Sequence, residues 1–479
     1  MLFNSLQFIF FFPIVVAAYF AMKPKYRWIL LLLASYYFYM CWNYKYIILI
    51  IFSTVIDYFA GILLYKTSKQ KLRILVLMAS LTTNLGLLFF FKYFNFFGES
   101  INFLLQKVNI FYNIPAYQFL LPVGISFYTF QTLSYTIDIY KGKQKPEYHF
   151  GRFALFVSFF PQLVAGPIER STNLLPQFRE VFTFEYERVK NGLLLMGWGF
   201  FKKVVIADRL AEYVNLVYNN PGEFSGLNNI IATFFFSFQI YCDFSGYSDI
   251  AIGAALVMGY KLMTNFRRPY FSQNIREFWS RWHISLSTWF RDYVYISLGG
   301  NRVVKWRWYY NLFITFLVSG LWHGAEWTFV IWGAIHGLYL VIAIITDKFR
   351  ENVNHAIGLT SLPGLYKLVQ VLITFVLVYF SWIFFRASNL NEAILVLKNH
   401  FVFDQNAVIN LFRIPADFYI AFVSIVVLLV LDFSEERFSL SLRLRKLPLV
   451  AKITLLVLFV SAILLFGVWN EADFLYFQF

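Results

Sequence analysis

Long apolar runs, each close to the length of a membrane-spanning helix, recur along nearly the whole sequence. A helix needs about 20 mostly apolar residues to cross the hydrocarbon core of a bilayer. Hydrophobic residues make up 59% of the chain and charged residues only 14%, well below the roughly 25% typical of soluble domains. We therefore predict an all-α, multi-pass membrane protein. The predicted spans are 5–22, 28–43, 46–65, 73–97, 119–139, 190–206, 229–260, 308–322, 326–346, 366–385, 416–432 and 450–469.

The positive charge of the chain is distributed unevenly among the predicted loops. In a soluble protein the net charge of +15 would suggest nucleic acid, but here the positive-inside rule explains it better. Basic loops follow the first, third and fifth spans and also occupy 437–447. These loops are predicted to be cytoplasmic, with the N-terminus and the residues after Trp469 outside. The first apolar run precedes the first basic residue, Lys23, so we expect a retained helix and not a signal peptide.

Polar and ionisable residues concentrate between Gln239 and Gly337, inside otherwise apolar surroundings. Such residues are costly in a membrane and are candidates for function. Asp243 and Asp249 interrupt the run 229–260, which we expect to form two helices or one broken helix. They are interpreted either as a polar contact between helices or as part of a substrate tunnel. The run 152–166 ends at Gly166 and Pro167, which is consistent with a re-entrant segment.

Tryptophans recur at helical spacing in the next polar segment, at positions 279, 282 and 289, with Leu286 between them. This stripe predicts a helix lying at the membrane interface. Arginines surround it, including Arg281, Arg291 and Arg302. They act either as simple cytoplasmic anchors or as a mouth that attracts a phosphate-rich donor such as coenzyme A, or an acidic carrier protein.

The third polar segment contains His323 between glycines, with His336 thirteen residues later. On one continuous helix these two histidines would lie about 220° apart, so they need not share a site. The sequence has no P-loop, no Gly-x-Ser-x-Gly motif and no His-Glu-x-x-His motif. Cys41 and Cys242 form no metal-ligand pattern. We therefore expect no metal site and no bound cofactor.

Several motifs in this order resemble the membrane-bound O-acyltransferase superfamily, and more narrowly its bacterial alginate and peptidoglycan O-acetylation branch. The matching segments are DFSGYSDIAIG (243–253), NFRRPY (265–270), FWSRWHISLSTWFRDYVYISLGGNR (278–302), LWHG (321–324), WGAIHG (332–337), PVGISFYTFQTLSYTID (122–138), PQLVAGPIER (161–170), WIFFRAS (382–388) and the terminal FLYFQF. The resemblance covers nearly the whole chain.

The resemblance implies a single membrane domain, with a ring of about 11–13 transmembrane and re-entrant helices around a central acyl-transfer tunnel. It divides the chain into N-terminal helices (1–140), a catalytic core (about 150–345) and C-terminal helices with an external tail (366–479). It implies that His323 is the catalytic histidine and His283 a second histidine near the reaction path. His336, Asp243 and Asp249 are then supporting or structural.

The expected reaction is transfer of an acyl group, most simply acetyl, across the bacterial cytoplasmic membrane to an external polysaccharide. A histidine with a pKa near 6.5 can take the proton of an acceptor hydroxyl, and a thiolate leaves without much acid help. The donor would be acetyl-coenzyme A or an acyl group on a carrier protein, and a separate external transferase would be the partner. The alternatives are a transporter or flippase, and an acyltransferase that acts on a lipid or secreted protein.

Tyr476 stands among aromatic residues near the end of the sequence, on the predicted acceptor side. An aromatic residue such as tyrosine suits an anchor at the membrane–water interface. However, it also resembles the terminal aromatic motif that D-alanine export systems carry on a separate small subunit. A phenol ionises near pH 10, far more easily than an alcohol. The pKa difference between a histidine base and the hydroxyl that it deprotonates is therefore smaller for tyrosine. The alternative hypothesis is therefore that Tyr476 carries the acyl group transiently.

Overall fold

The computed structural model describes residues 1–110, 112–117, 120–402, 415–469 and 474–475. Within these ranges the regular structure is entirely helical. Six helical stretches are long and apolar enough to cross a membrane, namely Pro24–Lys66, Gln70–Lys107, Trp327–Ile345, Pro363–Arg386, Ala416–Phe438 and Leu449–Phe466. The prediction of an all-α, multi-pass membrane protein is therefore confirmed.

The described chain divides into two compact units, the first comprising residues 1–196 and 248–263 and the second residues 197–247 and 264–475. The first nine helices are α1 Leu6–Ala21, α2 Arg27–Asn43, α3 Ile47–Lys66, α4 Gln70–Leu88, α5 Phe94–Lys107, α6 Ile125–Tyr140, α7 Phe150–Ser158, α8 Ser171–Gln177 and α9 Tyr186–Phe200. The last twelve are α10 Asp208–Tyr218, α11 Leu227–Met258, α12 Ile275–Arg281, α13 Ile284–Phe290, α14 Lys305–His323, α15 Trp327–Ile345, α16 Asp347–Ala356, α17 Pro363–Arg386, α18 Leu390–Asn399, α19 Pro415–Phe438, α20 Leu440–Leu444 and α21 Leu449–Phe466.

A buried polar network joins three helices of the first unit. Asp57 on α3 accepts hydrogen bonds from Ser80 (2.5 Å) and Asn84 (2.9 Å) on α4, and from Thr136 on α6 (3.1 Å). A carboxylate in an apolar interior is tolerated when its lone pairs are satisfied in this way. These bonds specify how the three helices pack.

The second unit contains a tightly packed pair of helices, α14 and α15. A Cβ added to Gly320 would lie 3.0 Å from the Cα of Gly333, and one added to Gly337 would lie 3.1 Å from the Cα of Phe313. Phe313, which precedes Gly320 on α14, faces Gly337, which follows Gly333 on α15. The two helices are therefore antiparallel. Small residues at the contact let the two backbones touch, which is a common way to associate helices in membranes.

Two expectations about helix continuity need correction or refinement. The run 229–260 was expected to be broken, but α11 continues without interruption from Leu227 to Met258. Its polar residues do not break the helix because they form hydrogen bonds with buried partners: Lys203 donates to Asp243 and Lys202 donates to Ser245. In the segment 152–166, α7 ends at Ser158 and the following residues form a buried turn.

A π-helical segment, Phe201–Ala207, joins α9 to α10 in the second unit. Two further π segments lie at Phe89–Tyr93 and Arg291–Tyr295. A π turn bonds residue i to i+5, so residues five apart stack above one another. Lys203 and Asp208 are related in this way, since the Asp208 amide donates to the Lys203 carbonyl. A regular α-helix would turn two residues at this spacing about 140° apart, at 100° per residue.

Candidate active site

His323 is the last residue of α14 and lies in an aromatic pocket of the second unit. Its side chain is buried, with 2% exposure. Its ring centroid lies 5.0 Å from those of Trp322 and Trp332 and 5.4 Å from that of Phe385. Gly324 ends the helix, and a Cβ there would overlap the ring of Phe329. The glycine therefore allows α15 to return close to His323 and to close the pocket.

The position of His323 at a helix C-terminus has an electrostatic consequence. The last turn of a helix carries a partial negative charge from its unpaired carbonyl groups. Such a terminus stabilises a nearby cation by about 0.3–1 kcal/mol, and by up to about 2 kcal/mol in partly buried sites. A positive charge on the His323 ring would therefore be stabilised by the end of its own helix.

His283 lies between two short helices, α12 and α13, and has an unusual backbone conformation. Its φ is +42°, in the left-handed region that residues other than glycine seldom adopt. The Ile284 amide donates to the Asn265 carbonyl oxygen at 2.9 Å, which fixes this turn against the preceding loop. The strained residue is thus the one that ends α12 and redirects the chain into α13.

The protonation state of the His283 ring follows from its contact with Asn265. Asn265 Oδ1 lies 3.1 Å from His283 Nδ1 and also accepts from the Ser285 amide at 3.2 Å. Because an amide N–H can only donate, the atom it contacts is an acceptor, and His283 Nδ1 must carry the proton. The lone pair of the neutral ring then lies on Nε2. Burial lowers the pKa of His283 well below its ordinary value, which keeps the ring neutral.

The two predicted histidines come together in the folded chain. The ring centroids of His283 and His323 are 6.4 Å apart, with Trp322 packed against both. They are forty residues apart in sequence, so only the fold brings them into one pocket. Asn265, which orients His283, was not singled out from the sequence, although its motif NFRRPY was. Its side-chain oxygen accepts hydrogen bonds from groups 18 and 20 residues away. No local sequence pattern predicts such contacts.

His336 has a different role, because both of its ring nitrogens are occupied by protein groups. The Trp279 indole N–H donates to Nδ1 at 3.2 Å, and Nε2 lies 3.0 Å from Ser381 Oγ. Since Nδ1 accepts, Nε2 carries the proton and donates to Ser381. The rings of His336 and His323 both pack against Trp332, but the two histidines share no helix face because α14 ends at His323.

The tryptophan stripe is not at a lipid boundary, and this expectation was wrong. Trp279, Trp282 and Trp289 have exposures of 7%, 1% and 6%, and the expected single helix is two short ones broken at His283. The rings pack in the protein interior, with Trp282 5.1 Å from Trp382 and Trp279 5.7 Å from Trp332. Helical spacing alone does not distinguish a stripe facing lipid from one facing protein.

The three arginines expected at a donor mouth differ in their surroundings. Arg281 forms ion pairs with Glu277 (2.7 Å) and Glu436 (3.0 Å). Arg291 contacts Asp292 at 2.8 Å with its side chain 59% exposed, and Arg302 is exposed. Arg281 therefore serves partly to hold α12 to α19, while the other two are accessible to a ligand.

The remaining predicted site residues lie on α11 or near the end of the chain. Asp243 is buried and paired with Lys203 at 2.7 Å, and Asp249 is half-buried. Lys203 was not singled out, because it stands in an apolar run and its partner Asp208 follows at an unusual spacing of five. Tyr476 lies outside the described residues, which on this segment are Phe474 and Leu475.

Comparison with known proteins identifies the family. The model of the membrane-bound O-acyltransferase family matches residues 144–388, which include every histidine and arginine discussed above. The chain is 37% identical over 501 residues to the probable alginate O-acetylase AlgI of Pseudomonas putida, covering 100% of both chains.

Two further relatives agree. Identity is 41% to the probable alginate O-acetylase AlgI of Pseudomonas aeruginosa, over 82% of this chain and 73% of that one. Identity is 38% to a peptidoglycan O-acetyltransferase of Helicobacter pylori, over 83% and 79% respectively. The chain therefore belongs to the membrane-bound O-acyltransferase family and is an acyltransferase.

Proposed function

We propose that the protein transfers an acetyl group from a cytoplasmic thioester toward a polysaccharide outside the bacterial cytoplasmic membrane. The observation that carries the proposal is the buried pair His283 and His323, in which Asn265 orients one ring and a helix terminus favours charge on the other. The names of the relatives support an O-acetyl group and a polysaccharide such as alginate or peptidoglycan as the acceptor.

In this mechanism His323 is the general base. It takes the proton of the attacking hydroxyl, whose oxygen forms a bond to the acyl carbon while the bond to the thiolate breaks. The helix terminus stabilises the imidazolium, which then gives its proton to the departing thiolate. His283 stays neutral, and its Nε2 lone pair accepts a hydrogen bond that orients the hydroxyl. The aromatic walls keep water from the thioester.

The donor and the first acceptor complete the proposal. Acetyl-coenzyme A or a carrier-bound acetyl group would be held by its phosphates at Arg291 and Arg302, together with Arg281. Tyr476 would be the first acceptor, forming a phenyl ester as the thiol leaves. A separate external transferase would then move the acetyl group to the polysaccharide, regenerating the phenol. The ester keeps the acyl group activated because a phenolate leaves readily.

The test compares three histidine variants in cells. His323→Ala should lower polysaccharide acetylation by at least about 100-fold, the usual contribution of a general base, and His283→Ala should lower it as well. His355→Ala is the matched control, since His355 is exposed on α16. Membrane abundance is measured in parallel, and normal acetylation by abundant His323→Ala would exclude the assigned role.

A further inference from the structure

A buried cluster of charged residues, distinct from the two histidines, lies in the second unit. Lys203 Nζ is 2.8 Å from Asp208 Oδ1 and 2.7 Å from Asp243 Oδ1, with side-chain exposures of 1%, 4% and 4%. The cluster therefore contains one more carboxyl group than it has ammonium groups. Burying such a group is expensive, and the mechanism proposed above does not use it. A structural ion pair would need only one carboxylate, so the second carboxylate requires an explanation.

The cluster holds a separate piece of the chain. The Leu475 backbone N–H donates to Asp243 Oδ2 at 2.9 Å, and Lys203 Nζ lies 4.2 Å from the centroid of the Phe474 ring. Phe474 also packs edge-on against Tyr247, with centroids 4.6 Å apart. Phe474 and Leu475 are only 1% and 5% exposed. The charges thus recognise one backbone amide and one aromatic face.

The chain that leads to Phe474 is attached to the π segment and to the first turn of α10. The Val468 N–H donates to the carbonyl of Val204 at 2.8 Å, and Arg209 donates to the carbonyl of Phe466 at 2.8 Å. These attachments resemble peptide recognition, in which backbone bonds give affinity and a side-chain pocket gives specificity.

The cluster is also close in structure to the candidate active site. Asp243 precedes Phe244 on α11, and the Phe244 ring is 4.6 Å from that of His283 at an interplanar angle of 88°. One turn of α11 therefore contacts the docked segment through Asp243 and His283 through Phe244. In sequence, Leu475 is followed directly by Tyr476.

We propose that the cluster of Lys203, Asp208 and Asp243 is a docking site for the segment Phe474–Leu475, and that this docking is required for Tyr476, the next residue in sequence, to accept the acyl group. The role toward Tyr476 rests on the proposed function, whereas the docking does not. Lys203 and Asp243 are positioning residues in this scheme, since they act through the docked segment.

The docking is tested without activity, by thiol accessibility. The thiol of a Leu475→Cys variant, on a background with Cys41→Ser and Cys242→Ala, should react slowly with a membrane-impermeant maleimide. Phe474→Leu, which keeps an apolar side chain but removes the ring, should raise the labelling rate about tenfold, as expected for a desolvated cation–π contact. Asp243→Asn should raise it too, and Phe474→Tyr should restore protection. Val108→Cys, at an exposed position between the fourth and fifth predicted spans, on the predicted outer side, is the control whose labelling should not change.

The positioning role is tested by acetylation in the same variants with Leu475 restored. Phe474→Leu should lower acetylation and Phe474→Tyr should recover it, at equal membrane abundance. Equal labelling of the Leu475→Cys protein with and without Phe474→Leu would overturn the docking. Faster labelling with normal acetylation would retain the docking and overturn the positioning. Normal acetylation by Tyr476→Phe would instead contradict the relay of the proposed function, and the labelling result would stand.

Discussion

The contact between Asn265 and His283 can be tested by two substitutions that are similar in size and opposite in chemistry. Asn265→Leu removes the acceptor that serves His283 Nδ1, the Ser285 amide and Ser285 Oγ. Asn265→Asp keeps an oxygen acceptor at the same place and adds a negative charge. The first variant tests whether the tautomer matters, and the second tests whether the neutral state matters.

The size of the effect follows from the bonds that are lost. Leaving a buried donor without an acceptor costs about 1–3 kcal/mol. If that cost appears in the orientation of His283 during reaction, Asn265→Leu should slow acyl transfer roughly 5- to 150-fold, since about 1.36 kcal/mol is tenfold in rate. The two stranded N–H groups together lower the stability of the fold by about 2–6 kcal/mol, so the protein is assayed at low temperature.

Asn265→Asp should change the pH dependence. Burial lowers the pKa of His283, so the neutral ring persists at mildly acidic pH in the native protein. A carboxylate beside Nδ1 stabilises the imidazolium and raises this pKa. The acid limb of the activity profile should therefore move to higher pH, with most of the loss on the acidic side.

The assay is transfer of radiolabelled acetyl groups from acetyl-coenzyme A by purified protein in lipid vesicles, measured as initial rates across pH. Size-exclusion chromatography in detergent confirms that each variant is folded. A folded Asn265→Leu protein with a rate within twofold of the native one, together with an unshifted profile for Asn265→Asp, would refute the assignment of the His283 tautomer.

Three other outcomes are expected. Gly320→Val should separate α14 from α15 and cost about 1–3 kcal/mol by overpacking, lowering membrane abundance, whereas Gly86→Ala, with no atom within 4 Å of its added Cβ, should not. His336→Leu should reduce thermal stability by about 1–3 kcal/mol by breaking its two ring hydrogen bonds, while properly folded protein keeps most of its activity; complete loss in folded protein would assign it a direct role. Single-cysteine labelling from outside should reach positions after Trp469, apart from the buried Phe474 and Leu475, but not the loop 437–447, and the reverse pattern would invert the predicted topology.

The apolar runs predicted a multi-pass membrane protein because nearly every residue of a membrane-spanning helix must be apolar. A mean hydropathy over the run 190–206 does not reveal Lys203, because one charged residue changes that mean only slightly. The spacing rules for helical ion pairs search at three and four residues, so the pair with Asp208 was invisible to them. Only a π turn makes a spacing of five productive.

The resemblance located His323 and His283, yet residue spacing could not show that they meet. Their contact depends on the left-handed turn at His283, and nothing local marks a histidine for that conformation. The helical period of the tryptophans holds only within α13, which contains Leu286 and Trp289, because Trp282 lies after the end of α12 in an extended conformation. What the period could not reveal was its environment, since lipid and protein interiors are equally apolar.

The π segment Phe201–Ala207 gives this region an unusual tolerance of a change in chain length. Deleting one residue between Lys203 and Asp208 would leave them four apart, and an ordinary α-helix would then hold both charges on one face, about 40° apart at 100° per residue. The same deletion within α9 or α10 would rotate everything beyond it by about 100°. A relative with a one-residue gap at 204–207 should therefore keep the Lys203–Asp208 ion pair at the shorter spacing. A gap within α9 would instead keep the spacing of five and turn both charges together, away from Asp243.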